Sequence, residues 1–464
     1  MKKRIFPLLF ILILLVPSAG LLIFGPSQAA ANETLADTPS LTRSDGSFNT
    51  DITDEITDWM ADHFALRQEL VTAGRQLTAL VFGESGEDDV ILGSDGWLFY
   101  AETLDDYQAV NTMTDRGIWA AARCLSLIQE YCASKDVTFL FTVAPNKNSL
   151  YGEYMPSRIA AGDAAERNLS RLSAALEGSG VLYVDLYSVL SEEDEILYRR
   201  GDSHWNTRGA SLAGDTILAA LDAEYEPFYT GSWYTVREEK GDLYEMVYPA
   251  GTDLDEDQRY DREFTFRYVN AIRSTGDNRI LTASEEKSGS LVMYRDSFGN
   301  TLHAYLAEAF GSALFSRITP YDLTLLDSQS ADTMIIELAE RNLSWLNTYA
   351  AVMPAPEREA ETVLGGAGED SWEAIVPAGS SVSVSVTDSG SLSGYVAFTG
   401  DLAQLGPDAD SPIYLQCGDV LYEATPAGDG DVPFTAYIPE EMAGEELRLL
   451  FIKDGQYVLA DTVR

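Results

Sequence analysis

Three histidines, His63, His204 and His303, are the side chains whose ordinary pKa suits proton transfer near neutral pH, so acid-base chemistry in this chain has few possible centres. His63 sits in an amphipathic helical stretch beside Asp62 and Phe64 and reads as a satisfied structural histidine. His303 follows Ser297 by six residues on one predicted helix, which rotates it about 240° and lifts it about 9 Å away, so it is expected to face elsewhere. His204 lies in Gly201-Asp202-Ser203-His204-Trp205-Asn206, a polar segment before a predicted helix. Residues two apart in an extended stretch point the same way. Asp202 could therefore accept a hydrogen bond from one imidazole nitrogen, fix the tautomer and stabilise the imidazolium. The plainer alternative is that Asp202 caps the helix and His204 packs on Trp205.

A base needs a nucleophile, and Leu291-Val292-Met293-Tyr294-Arg295-Asp296-Ser297-Phe298-Gly299-Asn300 offers one. An apolar strand ends in a polar turn and a helix begins, which places Ser297 at the carboxyl edge of a sheet, where open α/β folds bind ligands. Amides at the helix start would stabilise the oxyanion of a tetrahedral intermediate. Asp-Ser before a helix is also a common N-cap, and that reading stays open on this segment alone.

The elements that would position these groups alternate. The pattern predicts a helix over about 114–135, a strand over 137–143, a helix over about 164–177, a strand over 181–186 and a helix over about 207–223. Residues 225–285 break the rhythm with Tyr-rich and charge-rich stretches and read as an inserted antiparallel β-ribbon. A strand over 290–294, a helix over about 299–310 and a strand over 333–338 then resume it. Such alternation predicts an α/β fold with a parallel sheet covered on both faces, over residues 51–352. From about 360 to 464 the chain turns to short alternating runs separated by Gly-rich turns, the signature of a small C-terminal β-sandwich domain. Trp372, Tyr395, Tyr414 and Tyr422 would give that domain either stacking faces for sugars or core.

Lys2, Lys3 and Arg4 precede an apolar run from Ile5 to Phe24, long enough at about 30 Å to span a bilayer. Residues 1–25 read as a signal anchor, with a cleaved signal peptide as the alternative, and 26–50 as a linker. Either way the bulk of the chain is expected outside the cytoplasm, at the cell surface or in the periplasm. Of 464 residues 74 are acidic and 31 basic, a net charge of −43 that makes nucleic acid a poor partner. Cys124 and Cys132 stand about 12 Å apart on a helix and Cys417 has no near neighbour, so buried thiols are expected rather than disulfides. Without a Cys-x-x-Cys or a His-rich cluster, neither a metal nor a cofactor is expected.

Asp202-Ser203-His204-Trp205-Asn206 together with Tyr294-Arg295-Asp296-Ser297-Phe298 resembles the paired signature of the SGNH-hydrolase-like O-acetyltransferase family of the AlgX/AlgJ type and its DHHW-protein relatives. Asp62-His63-Phe64-Ala65-Leu66-Arg67, Gly93-Ser94-Asp95-Gly96-Trp97-Leu98-Phe99, Val143-Ala144-Pro145-Asn146-Lys147 and Glu337-Leu338-Ala339-Glu340-Arg341-Asn342-Leu343 agree with it. The resemblance covers about residues 50–350. It implies a flavodoxin-like three-layer core, a catalytic triad of Asp202, His204 and Ser297, and O-acetylation of an extracellular polysaccharide, with acetyl groups supplied by a membrane-bound O-acyltransferase. Arg295 stands where many SGNH enzymes have the glycine of Gly-Asp-Ser. Arg295, Asp296, Trp205, Asn206, Asn300 and Asn146 are candidates for substrate contact or local support. The chain's negative charge favours a neutral or zwitterionic glycan over a polyanion. Two other outcomes fit the same residues: a glycan O-acetyl esterase, and a non-catalytic glycan-binding wall protein.

Overall fold

The apolar run Leu291-Val292-Met293-Tyr294 shows why a sheet buried on both faces forms here. Leu291 and Met293 pack into one core cluster while Val292 and Tyr294 pack into another, so successive side chains serve opposite faces of a single strand. The computed structural model describes residues 20–21, 23, 25–27, 34–364, 375–418 and 420–463. The expected membrane segment lies almost wholly outside them. Among the described residues no helix is long and apolar enough to cross a membrane.

The N-terminal region opens with two helices, α1 (Ile52–His63) and α2 (Arg67–Phe82), and a hairpin of β1 (Val90–Leu92) and β2 (Leu98–Tyr100). The α/β unit follows as α3 (Asp115–Ser134), β3 (Thr138–Ala144), α4 (Asn168–Leu176), β4 (Leu182–Val184) and α5 (Thr207–Ala220). After a ribbon of β5 (Trp233–Val236) and β6 (Asp257–Tyr260) come β7 (Arg267–Tyr268), β8 (Arg279–Ala283) and β9 (Ser290–Tyr294). α6 (Gly299–Ala307), β10 (Ser312–Ser316) and β11 (Thr333–Ala339) complete it. Seven strands form one sheet in the order β4-β3-β11-β9-β10-β8-β7. β4, β3, β11, β9 and β10 run parallel. Apolar positions of α3 and α4 cover one face, and those of α5 and α6 the other, which gives the three-layer α/β/α arrangement.

Three features depart from the sequence expectation. β8 pairs antiparallel with β10 and β7 antiparallel with β8, so the sheet is mixed rather than parallel. Within 225–285 only β5 and β6 form the expected separate ribbon, whereas β7 and β8 extend the main sheet. β10 has no counterpart in the sequence expectation.

The C-terminal region is β-rich. Among the described residues eight of its nine strands run as one hydrogen-bonded path rather than as two separately paired sheets, from Glu357–Arg358 through to Pro433–Pro439, and the ninth, Val376–Pro377, pairs off that path with Gln456–Val463. Bridges between Thr425 and Thr435 and between Pro354 and Tyr437 bring the ends of that path together around a core containing Phe398, Leu415, Phe434 and Phe451. Glu423, 1% exposed at its side chain, joins this region to the α/β unit by accepting from Arg123 of α3 at 2.6 Å, and it also accepts from Arg358 of its own region at 2.7 Å. Tyr414 and Tyr422 are buried in the core, so neither is a free stacking face. Tyr395 is half-buried, and Trp372 lies outside the described residues. Cys124, Cys132 and Cys417 are buried thiols.

Candidate active site

His204 is carried by the loop between Leu197 and Asn206, which folds back on itself: Asn206 N–H donates to the Leu197 carbonyl at 2.8 Å, and Tyr198 bridges Trp205. Asn206 then caps α5, its side chain accepting from Gly209 N–H at 2.8 Å. That cap belongs to Asn206, not Asp202, which leaves the Asp202 carboxylate for His204. Asp202 Oδ1 lies 2.7 Å from His204 Nδ1 and Oδ2 lies 3.0 Å from Arg199. A carboxylate only accepts, so Nδ1 carries the proton and the Nε2 lone pair faces outward. His204 Nε2 lies 2.8 Å from Ser297 Oγ, and the serine hydroxyl is its donor. Ser297 does not cap α6, which begins without a side-chain cap.

The turn carrying Ser297 is built from buried polar groups. Asp296 accepts from Phe298 N–H at 2.9 Å, Ala339 N–H at 2.6 Å and Asn342 Nδ2 at 2.7 Å, tying the turn to the end of β11. Glu337 lies beneath it on β11, and burial, reinforced by the Asp296 charge, pushes its carboxyl well above the usual range. Arg295 takes the space a glycine would leave. Its guanidinium donates to the carbonyls of Thr275 and Asp296 and, at 2.6 Å, to Asn300 Oδ1. Its stem lies so close to Gly299 that a Cβ there would come within 2.5 Å of Arg295 Cδ. Arginine at the first position and glycine at the fifth are thus a matched pair. By holding Asn300 Oδ1, Arg295 also turns the Asn300 Nδ2 donor away from itself. Phe298, fully buried, packs against Trp205, whose Nε1 donates to the Phe298 carbonyl at 3.2 Å. Burying a ring of this size is worth about 2–3 kcal/mol and locks the two motifs together.

Two supports were not legible in the sequence. Lys147 is buried, and its ammonium donates to three carbonyls of the histidine loop: Arg199 at 2.8 Å, Arg200 at 2.8 Å and Asp202 at 2.7 Å. Burial lowers it to about 7 against the pull of Asp202, Asp255 and Asp242. Asp242 comes from the insert and stands 3.4 Å from His204 Nδ1, while accepting from Ser203 Oγ at 2.6 Å and Ser203 N–H at 2.7 Å. The insert reaches the loop by close backbone contact, since a Cβ on Gly241 would fall 2.1 Å from the Gly201 carbonyl oxygen. Glycine there is a steric requirement.

Electrostatics follow from these neighbours. Burial alone would lower His204, but the hydrogen bond and charge of Asp202, with the charge of Asp242, raise it above the ordinary imidazole value. Burial alone would raise Asp202, and the His204 hydrogen bond and charge outweigh it to hold the carboxyl well below its usual range. Burial, and then Asp202, raise Asp242.

Ser297 and His204 open onto a cavity of about 740 Å³, also lined by Asn300, Tyr268 and His303. His303 therefore borders the site instead of facing elsewhere, although it does not touch the Ser–His pair: its Nδ1 lies 2.9 Å from the Asn300 carbonyl and its Nε2 3.0 Å from the Tyr268 hydroxyl. His63 stacks on Trp59, with its Nδ1 2.9 Å from the Trp59 carbonyl. Asn146 is buried and does not line the cavity, its Nδ2 donating instead to Asp106 at 3.2 Å and its backbone N–H to Glu340 at 2.8 Å. Among the described residues Asp202, His204 and Asp242 also form a group of possible metal ligands, with donor atoms within 4.8 Å of one another. The protonated Nδ1 has no lone pair for a cation, so this donor set fits a hydrogen-bonded acid–histidine pair better than a metal.

A serine hydroxyl at the carboxyl edge of a three-layer α/β sheet, bonded to a histidine that is bonded to a carboxylate, has the geometry of a serine-nucleophile hydrolase or acyltransferase. Residues 90–288 match the family model described as "SGNH hydrolase-like domain, acetyltransferase AlgX". The resemblance carried by the motifs is borne out over that segment, which contains Asp202, His204 and Asp242 and ends before Ser297. No curated protein matches the chain. Similar solved structures include PatB1 from Bacillus cereus, at 16% identity over 55% of this chain and 96% of that one, with a TM-score of 0.43. A DHHW family protein from Eubacterium siraeum has 16% identity over 55% and 91%, with a TM-score of 0.41. AlgX from Pseudomonas aeruginosa has 14% identity over 81% and 94%, with a TM-score of 0.39.

Proposed function

We propose that the protein transfers an acyl group, acetyl by analogy with the matched family, to a hydroxyl of an exopolysaccharide or cell-wall glycan through an ester on Ser297. The observation that carries the reading is the unbroken path from Asp202 Oδ1 through His204 to Ser297 Oγ, with bonds of 2.7 and 2.8 Å, ending in an open cavity. His204 Nε2 takes the Ser297 proton as Oγ attacks the donor's acyl carbonyl. The donor's leaving group departs with that proton. An acceptor hydroxyl then gives its proton to Nε2, attacks the ester carbonyl and releases Ser297, which recovers the proton. The imidazolium formed in each step is stabilised by Asp202 and by Asp242.

The Ser297 N–H makes no hydrogen bond within the described residues, and Asn300 Nδ2, oriented by Arg295, lines the same cavity. These two donors are assigned to the developing oxyanion. The work takes place outside the cytoplasm, with residues 1–25 as anchor and a membrane-bound O-acyltransferase as acyl supplier. Release of nitrophenol from p-nitrophenyl acetate by the full chain, compared with Ser297→Ala, tests the reading. Equal rates for the two proteins would end it. An esterase uses the same groups, and the ratio of acetylated acceptor to free acetate separates the two outcomes.

A further inference from the structure

The cavity beside Ser297 has two unlike walls. On one side Phe264, Phe266 and Tyr268, alternate residues leading into β7, line the cavity with aromatic rings of the kind that pack on pyranoses, the Tyr268 ring standing perpendicular to that of Phe266. The hydrogen-bond polarity of Tyr268 is fixed from behind. The Asn300 carbonyl can only accept, so His303 Nδ1 carries the ring proton and Nε2 accepts from the Tyr268 hydroxyl. Burial keeps His303 neutral, at about 4, so this tautomer holds across the physiological range. With its proton committed to His303, the Tyr268 hydroxyl offers the cavity lone pairs only.

The opposite wall has the same polarity. Seven carboxylates and three cations line the cavity. Arg199 and Arg259 are already engaged by Asp202, Glu239 and Glu238, which leaves Lys240 as the one lining cation without a carboxylate partner among the described residues. Glu245 alone among the seven has neither a cation nor a side-chain hydrogen bond within the described residues, leaving its carboxylate open to a ligand. Both walls therefore offer mainly hydrogen-bond acceptors, and seven carboxylates against three cations leave an excess of negative charge. A ligand carboxylate or phosphate, which can only accept, would meet repulsion and leave these groups unpaired.

We propose that the acceptor is a glycan whose units carry hydroxyl groups and protonated amines and no carboxylate or phosphate, with its ring on the Phe264–Tyr268 wall and an ammonium at Glu245. This narrows the acyl-transfer reading and rests on it. Tyr268 and Glu245 are thereby specificity-determining, while the chemistry stays with Ser297 and His204.

The test supplies p-nitrophenyl acetate to the full chain with three acceptors in parallel: glucosamine oligosaccharides, N-acetylglucosamine oligosaccharides and oligogalacturonate. Acetylated products are measured by mass spectrometry. The expected order of kcat/KM is glucosamine oligomer first and oligogalacturonate last. Added salt should narrow the gap as screening weakens the charge preference. Glu245→Gln should raise KM for the glucosamine oligomer about tenfold, the worth of one charge-assisted hydrogen bond, with a smaller change for the N-acetylated oligomer. Equal use of glucosamine and N-acetylglucosamine oligomers, or preference for oligogalacturonate, overturns the inference. Acetyl found on Ser297 with no transfer to any glucosamine oligomer also overturns it and leaves the acyl-enzyme standing. Absence of acetyl on Ser297 overturns both.

Discussion

Replacing Asp242 by Asn separates a carboxylate that stabilises the imidazolium from one that merely builds the loop. Asn keeps an oxygen to accept from Ser203 and removes one negative charge 3.4 Å from His204 Nδ1. Two unit charges at that distance interact by about 5 kcal/mol at an effective dielectric of about 20 and by about 1 kcal/mol in water. The Asp242 side chain is 29% exposed, so the net effect lies toward the lower end, about 2 kcal/mol. Because the charge acts on the imidazolium and not on neutral imidazole, kcat/KM for p-nitrophenyl acetate should fall about 30-fold at pH 8. The pH profile should move as well. The neighbouring carboxylates raise His204 above 6.5, so in the wild type the base is lost as pH falls through a value higher than that of ordinary imidazole. In Asp242→Asn the acid limb should shift down by about 1.5 units, since about 1.4 kcal/mol corresponds to one unit. A variant with unchanged rate and an unchanged acid limb would refute the assignment. A lower rate with an unmoved limb would mean that Asp242 acts through loop geometry alone.

Lys147→Met leaves three carbonyls of the histidine loop without their donor, and should cost about 3 kcal/mol of stability by chemical denaturation and more than tenfold in esterase rate. Glu423→Ala strands Arg123 between the β-rich region and the α/β unit, while Arg358 keeps its pair with Glu130, and is expected to destabilise the full chain by about 2 kcal/mol with no change in ester hydrolysis per folded molecule. Calorimetry and an activity assay below the transition read the two effects separately. Dialysis against a chelator should leave ester hydrolysis within twofold, and restoration of a lost rate by added zinc would turn Asp202, His204 and Asp242 into a metal site after all.

The parts of the site that sequence exposed are those held by local geometry. Asp202 and His204 are two residues apart on one side of a loop, and Ser297 stands where an apolar strand gives way to a helix; both follow from backbone periodicity. Asp242 arrives from an irregular insert through a backbone contact at Gly241, and no periodicity in residues 225–285 points to it. Lys147 follows the first strand by a short step, yet its work is done on carbonyls more than fifty residues away. His303 was placed by helix geometry relative to Ser297, but the cavity curves around α6 and takes in the face that geometry turned away. Arg295 shows the same limit: beside the expected glycine it looks like a misfit, and only its packing on Gly299 and its hold on Asn300 reveal the compensation. β8 failed for another reason, since an antiparallel strand joining the main sheet and one in a separate ribbon share the same local pattern.

The most direct measurement is intact-mass and peptide mass spectrometry of the full chain quenched during turnover of p-nitrophenyl acetate. One acetyl group on the peptide containing Ser297 is predicted, absent from Ser297→Ala and strongly reduced in His204→Ala. No adduct during turnover, or an adduct on another residue that persists in Ser297→Ala, would contradict the account.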